Sequence, residues 1–581
     1  MNIKKIIYSA LFMAALGSCS KVEEKFDNYL NNPNTPSPES ADSDLYLNVA
    51  ELSFASCFDA FSSFGMEITR MIVMYGPTYQ NAYSPNSFDG VWDNAYTNFF
   101  KHANALLPIA EKQKKFVVVG MTKIMKAYVM MTLVDYFGNV PYAEANLGAE
   151  NTNPAVQQGK DVYAAAIKLL DEAITTLNQT PGSYPGAFDM FYGTTTAGTT
   201  STTPGGASTG AKRWITLAKT LKMRAYMTTR LVDQANAKTQ IEALLAGGDL
   251  IDNIAEDFEF KYSNKQTNPN SRHPRYNGNY SATGSAGDYI GTHFMWALVY
   301  ENGRTFSNNA GTDKSDPRTR YYFYRQRINS ADVNSASSSC SVAAPPPQYP
   351  TDFAVGPFCS PIPSFGGGFW GRDHGDNSGI PPDGPQRTTV GIYPFGGDFD
   401  AGQGTSVSLN RGAQGAGIQP IWQSAFTEFL KAEAVLTLGI AGDARALMES
   451  GIRKSMAKVL GYPATVGVTP SSTYVPSTAR QDAYVAGVLA LYDAAATTDE
   501  KLNIVMKEYY KALWGNGVDS YNNYRRTGKP DNLQLPVVGN PGAFISSMYY
   551  PSVHVNRNQT ASQKSGVNVK VFWDTYPGTL K

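Results

Sequence analysis

The stretch Phe116–Ala145, FVVVGMTKIMKAYVMMTLVDYFGNVPYAEA, constrains the fold more than any other part of the chain. Val117, Met121, Ile124, Tyr128, Met131 and Val134 recur at helical spacing, and Val118, Met125, Val129 and Leu133 fill a second face. A helix that is apolar on two faces packs between neighbours instead of lying on a surface. Gly138 suits the residue just past a helix end, Asn139 follows, and Pro141 blocks continuation. Lys123, Lys126 and Asp135 inside the run argue against a membrane span, which needs a stretch nearly free of charge. The spacing predicts a buried central helix with a sharp exit.

Its neighbours are predicted to be helical as well. Helical patterns cover Asp44–Phe64, about Gly90–Lys112, Asp161–Leu177 with Asp161 as its cap, Trp214–Asp233 and Gln234–Leu245. Residues 182–210, rich in Gly, Thr, Ser and Pro, read as a surface loop. From Leu250 to about Gln419 Tyr, Asn, Gly, Ser and Pro dominate, and only Asp288–Tyr300 keeps a helical period. Helices resume over Pro420–Leu438, Asp443–Leu460, Ala479–Ala495 and Leu502–Trp514. The expected class is therefore mostly α: tetratricopeptide-like helical hairpins form a scaffold that carries a large, irregular, loop-rich insertion with short strands. At 581 residues this is longer than one ordinary domain, but stacked hairpins merge into one large body.

The N-terminus reads as a processing signal. Lys4 and Lys5 precede an apolar run from Ile6 to Leu16, and Leu16-Gly17-Ser18-Cys19 fits a bacterial lipobox in which Cys19 becomes the lipidated first residue. An ordinary signal peptide with an incidental cysteine is the plainer alternative. Acyl chains on Cys19 would hold the protein to a leaflet with no spanning helix, and no later segment reads as long and apolar enough to span. Residues 31–43 (NNPNTPSPESADS) have the composition of a solvated tether. An exported chain permits disulfides. Cys340–Cys359 would close a Pro-rich loop, leaving Cys57 as a small core residue. These features divide the chain into a signal peptide (1–18), a lipidated tether (19–43), an N-terminal helical part (44–249), the loop-rich insertion (250–419) and a C-terminal helical part (420–581).

Several segments, in order, resemble the SusD/RagB family of Bacteroidetes outer-membrane lipoproteins. KAYVMMTLVDYFGNVPYAEA (126–145) is similar to the family's hallmark helix and exit, and Ser20–Glu24 resembles a surface-export tag. Ser315-Asp316-Pro317-Arg318 with Tyr321–Phe323 is similar to its DPR element. Residues 365–400 resemble a loop of one subgroup, and Thr427–Ala434 resemble its FLKAEA helix. Asp519–Pro530 matches the RRtG.P string, and Tyr550, Pro551 and Asn556 fit a terminal element in which His554 stands where the motif has Glu. The resemblance implies a cell-surface, lipid-anchored, non-enzymatic subunit that captures a glycan or oligosaccharide. It also implies a partner, a TonB-dependent (SusC-like) outer-membrane transporter docked on the helical face. In the RagB branch the ligand would be peptide.

Chemistry-bearing clusters are few. Formal net charge is zero, so nothing points to nucleic acid, and there are only five His. Arg372-Asp373-His374-Gly375-Asp376, with Asp383 nearby, is the most site-like group. Its carboxylates suit turn-making and backbone capping, a Ca²⁺ ion held through oxygen, or the acid–base pair of a secreted hydrolase. No nucleophile elbow or P-loop is present. A helical scaffold with no small ligand is a further reading, though it leaves the aromatic insertion without a purpose. Aromatics, at 12% with 35 Tyr, are the more natural instrument, because sugars stack their C–H faces on rings and bind hydroxyls through amides and charges. Tyr79, Gln80, Asn81 and Tyr83 offer that mixture on an early loop, Phe369, Trp370, Arg372 and Asp373 on a late one, with Tyr289 and Trp296 a third source. For each, packing in the core is the plainer alternative. Tyr521–Arg526 reads as a buried polar network.

Overall fold

The computed structural model describes residues 42–179, 184–185, 188–192, 209–281, 287–328, 347–349, 367–377 and 387–581. Cys19, Cys340, Cys359 and Asp383 lie outside them, and so do the lipidation and disulfide expectations. Helix α1 (Ser43–Ile68) starts at Asp42, whose carboxylate accepts the Asp44 N–H. A helical stretch over residues 89–112 follows, but Asn94–Phe100 form a π turn inside it, and α2 (Lys101–Lys112) completes it. Helix α3 (Phe116–Phe137) is the central one: both apolar faces are buried, and it ends at Gly138 with φ 80°. By length and hydropathy it is the one described helix able to cross a membrane. That corrects the expectation that no segment could, yet the helix lies inside the protein because neighbours cover both faces. Lys123 and Lys126 reach its rim, where Glu172 and Asn104 meet them.

Around α3 pack α2 and α4 (Gly159–Leu177), followed by α5 (Thr209–Thr229) and α6 (Gln234–Gly247). Asp161 sits in the first turn of α4 and Gln158 takes the cap position, one turn earlier than the pattern suggested. Within the middle third, α7 (Thr292–Val299) is shorter than expected because residues 289–291 are extended. The C-terminal part holds α8 (Ser424–Leu438), α9 (Ala444–Thr465), α10 (Thr478–Ala494), α11 (Thr498–Ala512) and α12 (Gly517–Thr527). Helices α8 and α9 pack as a pair, and α12 crosses α1. The mostly α class with few short strands is as expected.

The described strands form three antiparallel pairs: β1 (Val140–Pro141) with β2 (Val156–Gln157), β3 (Phe258–Lys261) with β6 (Ile418–Trp422), and β4 (Phe323–Arg325) with β5 (Thr388–Val390). Residues 420–422, expected to open a helix, instead complete β6.

The motif segments meet in buried ionic networks. Asp135 of α3, fully buried, accepts from Tyr163, from Asn522 at 2.7 Å and from the Trp573 indole at 2.9 Å. Arg224 of α5 lies 3.7 Å from it and donates to Asp519 at 2.5 Å. Glu433 of α8 receives Arg526 through two 2.7 Å bonds and Arg230 at 3.2 Å. Asp316 and Arg318 pair through bonds of 3.0 and 2.7 Å, with Ser455 and Glu508 beside the guanidinium. Such groups are tolerated in a core only when paired and hydrogen-bonded, so each network fixes how distant segments fit.

Candidate functional site

After α1 the backbone breaks at Arg70, with φ 66°, and residues 71–75 run extended. Ile72 bridges Ile290 antiparallel, with Val73 N–H donating to the Tyr289 carbonyl and Gly291 N–H to that of Met71, both at 3.0 Å. Gly291 in turn bridges Arg372 in parallel, and Thr292 N–H donates to the Arg372 carbonyl at 2.9 Å. Gly375 N–H returns to the Met74 carbonyl at 2.9 Å, and Thr388 N–H at the head of β5 reaches that of Trp370 at 2.8 Å. An irregular backbone ladder thus joins two of the regions selected from sequence, at residues 289–292 and 370–375, to the extended run 71–74 that leads into the third.

The residues it turns outward differ from those selected. Trp296, Trp370, Tyr79, Tyr289 and Arg372, selected as ligand contacts, are each at most 2% exposed and pack as core residues do. Tyr79 packs against His374 and Phe544, and its hydroxyl receives Arg70 at 2.8 Å. The Tyr289 ring carries Arg372 at 5.2 Å and Arg387 at 5.6 Å, a cation–π arrangement under the surface. Trp296 lies in α7 beside His293, and Trp370 is held at the edge of β5. Gln80 is exposed and donates to the Tyr549 hydroxyl, and Tyr83 is half-buried and donates to Glu67. Asp373 is half-buried and accepts from Gln534 at 2.7 Å. Burial raises its carboxyl, against the bonds from Gln534, Thr292 and Tyr349. Asp376 faces Arg372 at 3.8 Å. Among the described residues no group of three or more His, Cys, Asp or Glu is placed to hold a metal ion.

Tyr75, which the sequence reading passed over, is 42% exposed and the only aromatic among the exposed large hydrophobic side chains of the described residues. Partial burial pushes its hydroxyl up to about 12, against the pull of Arg372 and Arg387, so it stays a neutral donor and acceptor. Two carboxylates share its surroundings. Asp288, 37% exposed, pairs with the buried Arg275. Half-buried Glu67 is pushed up to about 7 by burial, with Asp288 also raising it and Tyr83 and Arg275 opposing. An exposed ring beside carboxylate groups is the composition of a face that takes a polar ligand with apolar patches. The signal in sequence was a short apolar run, Met71–Met74, ended by Tyr75 just before Gly76-Pro77.

The fold has many solved relatives. A chitin-binding protein superposes with a TM-score of 0.63 at 18% identity, covering 92% of this chain and all of that one. A chitin-binding SusD homologue from Flavobacterium johnsoniae gives 0.57 at 18%, covering 91% and 99%. A SusD homologue from Bacteroides fragilis gives 0.61 at 18%, covering 92% and 99%. The sequence has no match among curated proteins. The profile of the SusD-like family, described as SusD and RagB outer membrane lipoprotein, matches residues 75–285 and 414–571, more than half of the chain. With its helical frame, its buried motif networks and its loop-built face, the chain belongs to the SusD/RagB family.

Proposed function

We propose that the protein is a nutrient-capture subunit, anchored through Cys19 to the outer membrane and facing outward. It holds an oligosaccharide on the Tyr75 face and passes it to a TonB-dependent, SusC-like transporter. The observation that carries this reading is the ladder of three loops that leaves Tyr75 exposed while burying the larger rings around it. Family membership and two chitin-binding structural relatives support a glycan. Tyr75 supplies the stacking surface. Asp288, Asn81 and Gln80 supply hydroxyl partners, and buried Arg372 and Arg387 hold Tyr289 beneath it. No bond in the ligand is made or broken, so capture and release need only reversible contacts.

Titration calorimetry with hexasaccharides of chitin, cellulose, xylan and amylose, and with a peptide mixture, tests this. Tyr75→Ala is expected to weaken saccharide binding roughly five- to tenfold, the scale of one aromatic stacking contact, with an unchanged melting temperature. Full binding by a folded Tyr75→Ala chain would remove that face from the reading. Binding of peptide alone would change the ligand class.

A further inference from the structure

A second concavity lies away from the Tyr75 face and shares no residue with it. It is a cleft of about 560 Å³ between the end of β3, the turn leading into β6 and one face of α9. Its volume falls within the range of small-ligand sites. Tyr262 contributes a half-buried ring, packed on Phe260 and His273. Its hydroxyl accepts from Gln419 at 2.7 Å, leaving its own O–H available as a donor. Ile254, 37% exposed, and Ile418 line apolar walls, and Asn264 offers an exposed amide.

Charge in the cleft is balanced internally. Lys458 bridges Glu259 at 2.6 Å and Asp257 at 3.2 Å, and Lys261 approaches Glu259 at 4.0 Å. Glu259, Lys261 and Lys458 line the cleft and buried Asp257 pairs with Lys458 from behind, so two ammonium groups meet two carboxylates and little net charge is left with which to select an ion. A neutral ligand with both C–H faces and hydroxyls matches this lining.

The helix that floors the cleft departs from its own interest to keep the space open. Gly461 lies inside α9 with an ordinary helical backbone, and a Cβ built on it meets nothing within 4 Å. Neither packing nor backbone geometry asks for glycine there, and glycine weakens a helix interior. Ala457 and Thr465, one turn to either side on the same row, also line the cleft and are small. On the glycan reading given above, we propose that this cleft is a second saccharide site for a neutral oligosaccharide, so that one polymer chain is held at two points and gains by effective concentration.

Calorimetry of the whole chain with the same four hexasaccharides separates the two sites. Native protein is expected to bind with a stoichiometry of two. At a ligand concentration that just saturates the native protein, where a site weakened roughly five- to tenfold stays mostly empty, Tyr75→Ala and Gly461→Gln are each expected to fill one site and the double variant neither. Gly461→Gln should melt at or above the native temperature, since Gln is the better helix former. If that variant fails to fold, Asn264→Ala, an exposed change, should weaken one of the two sites. Stoichiometry of one, lost in Tyr75→Ala and untouched by Gly461→Gln, overturns the second site and keeps the first. Stoichiometry of one with the reverse pattern keeps the cleft and overturns the Tyr75 face. No saccharide binding by any chain overturns both.

Discussion

His554 stacks on Trp92, with centroids 4.5 Å apart, and lies 5.7 Å from Tyr550. Burial holds its imidazole down at about 4. The unfolded chain protonates the same ring near pH 6.5. Between these values the unfolded state binds more protons, so stability is lost as pH falls from about 6.5 towards 4 and is fully present above. From pH 7.5 to 4.5 the native chain should lose roughly 2–3 kcal/mol more than His554→Gln does. Urea unfolding of both chains at the two pH values checks this, and parallel losses would discard the account. The departure of His554 from the family motif is thus an aromatic stack in place of a carboxylate contact. At this scale the sequence was a partial guide. It marked loops that the fold brings close together, but Trp370, Trp296 and Tyr79 suit a core as well as a ligand face, and nothing local separates the two uses. Tyr75 stands out only in the fold, where the extended residues 71–74 are buried among their partners.

Among the elements, α1 and α12 cross with their backbones in close approach. A Cβ on Gly65 would stand 2.1 Å from the Gly517 carbonyl oxygen, and one on Gly517 would stand 2.0 Å from that of Ser62. Backbone has no rotamer to yield, so Gly65→Ala must push the helices apart. It should cost about 1–3 kcal/mol, the range for overpacking, read as a lower melting temperature with retained helical circular dichroism. An unchanged melting temperature would show that the crossing can open freely. Helices were legible because a 3.6-residue period survives in a buried face, and α3 matches its expected span closely. Boundaries were less so. Pro420 and its neighbours looked like the first turn of α8, yet they pair with β3, a partner remote in sequence that no local pattern names. The late start of α7 has the same cause, since residues 289–291 are claimed by Ile72 and Arg372.

For the whole molecule, the decisive fact is that the buried networks join opposite ends of the chain. Asn522 reaches Asp135 across 387 positions, and Arg526 and Arg230 share Glu433. Arg526→Ala leaves the buried Glu433 with Arg230 alone and its two 2.7 Å bonds unmade, so it should cost about 3 kcal/mol, the low end for breaking a buried pair. Because the network spans both helical parts, scanning calorimetry should show one transition moved down as a unit. Two resolved transitions in the variant, with one unmoved, would mean that the parts unfold separately. Composition and order of motifs were enough to give the helical class, whereas the partners of each motif became known only from the fold. The ladder under Tyr75 has a further consequence. Its rungs are main-chain bonds, from Val73 to Tyr289, from Thr292 to Arg372 and from Gly375 to Met74, and their strength does not depend on which side chains the strands carry. An outward position such as 75, whose side chain the ladder does not use, is therefore free to drift. With the Tyr75 face as the proposed capture site, a lineage changes what it feeds on by rewriting a few surface letters while the platform beneath them stays as it is.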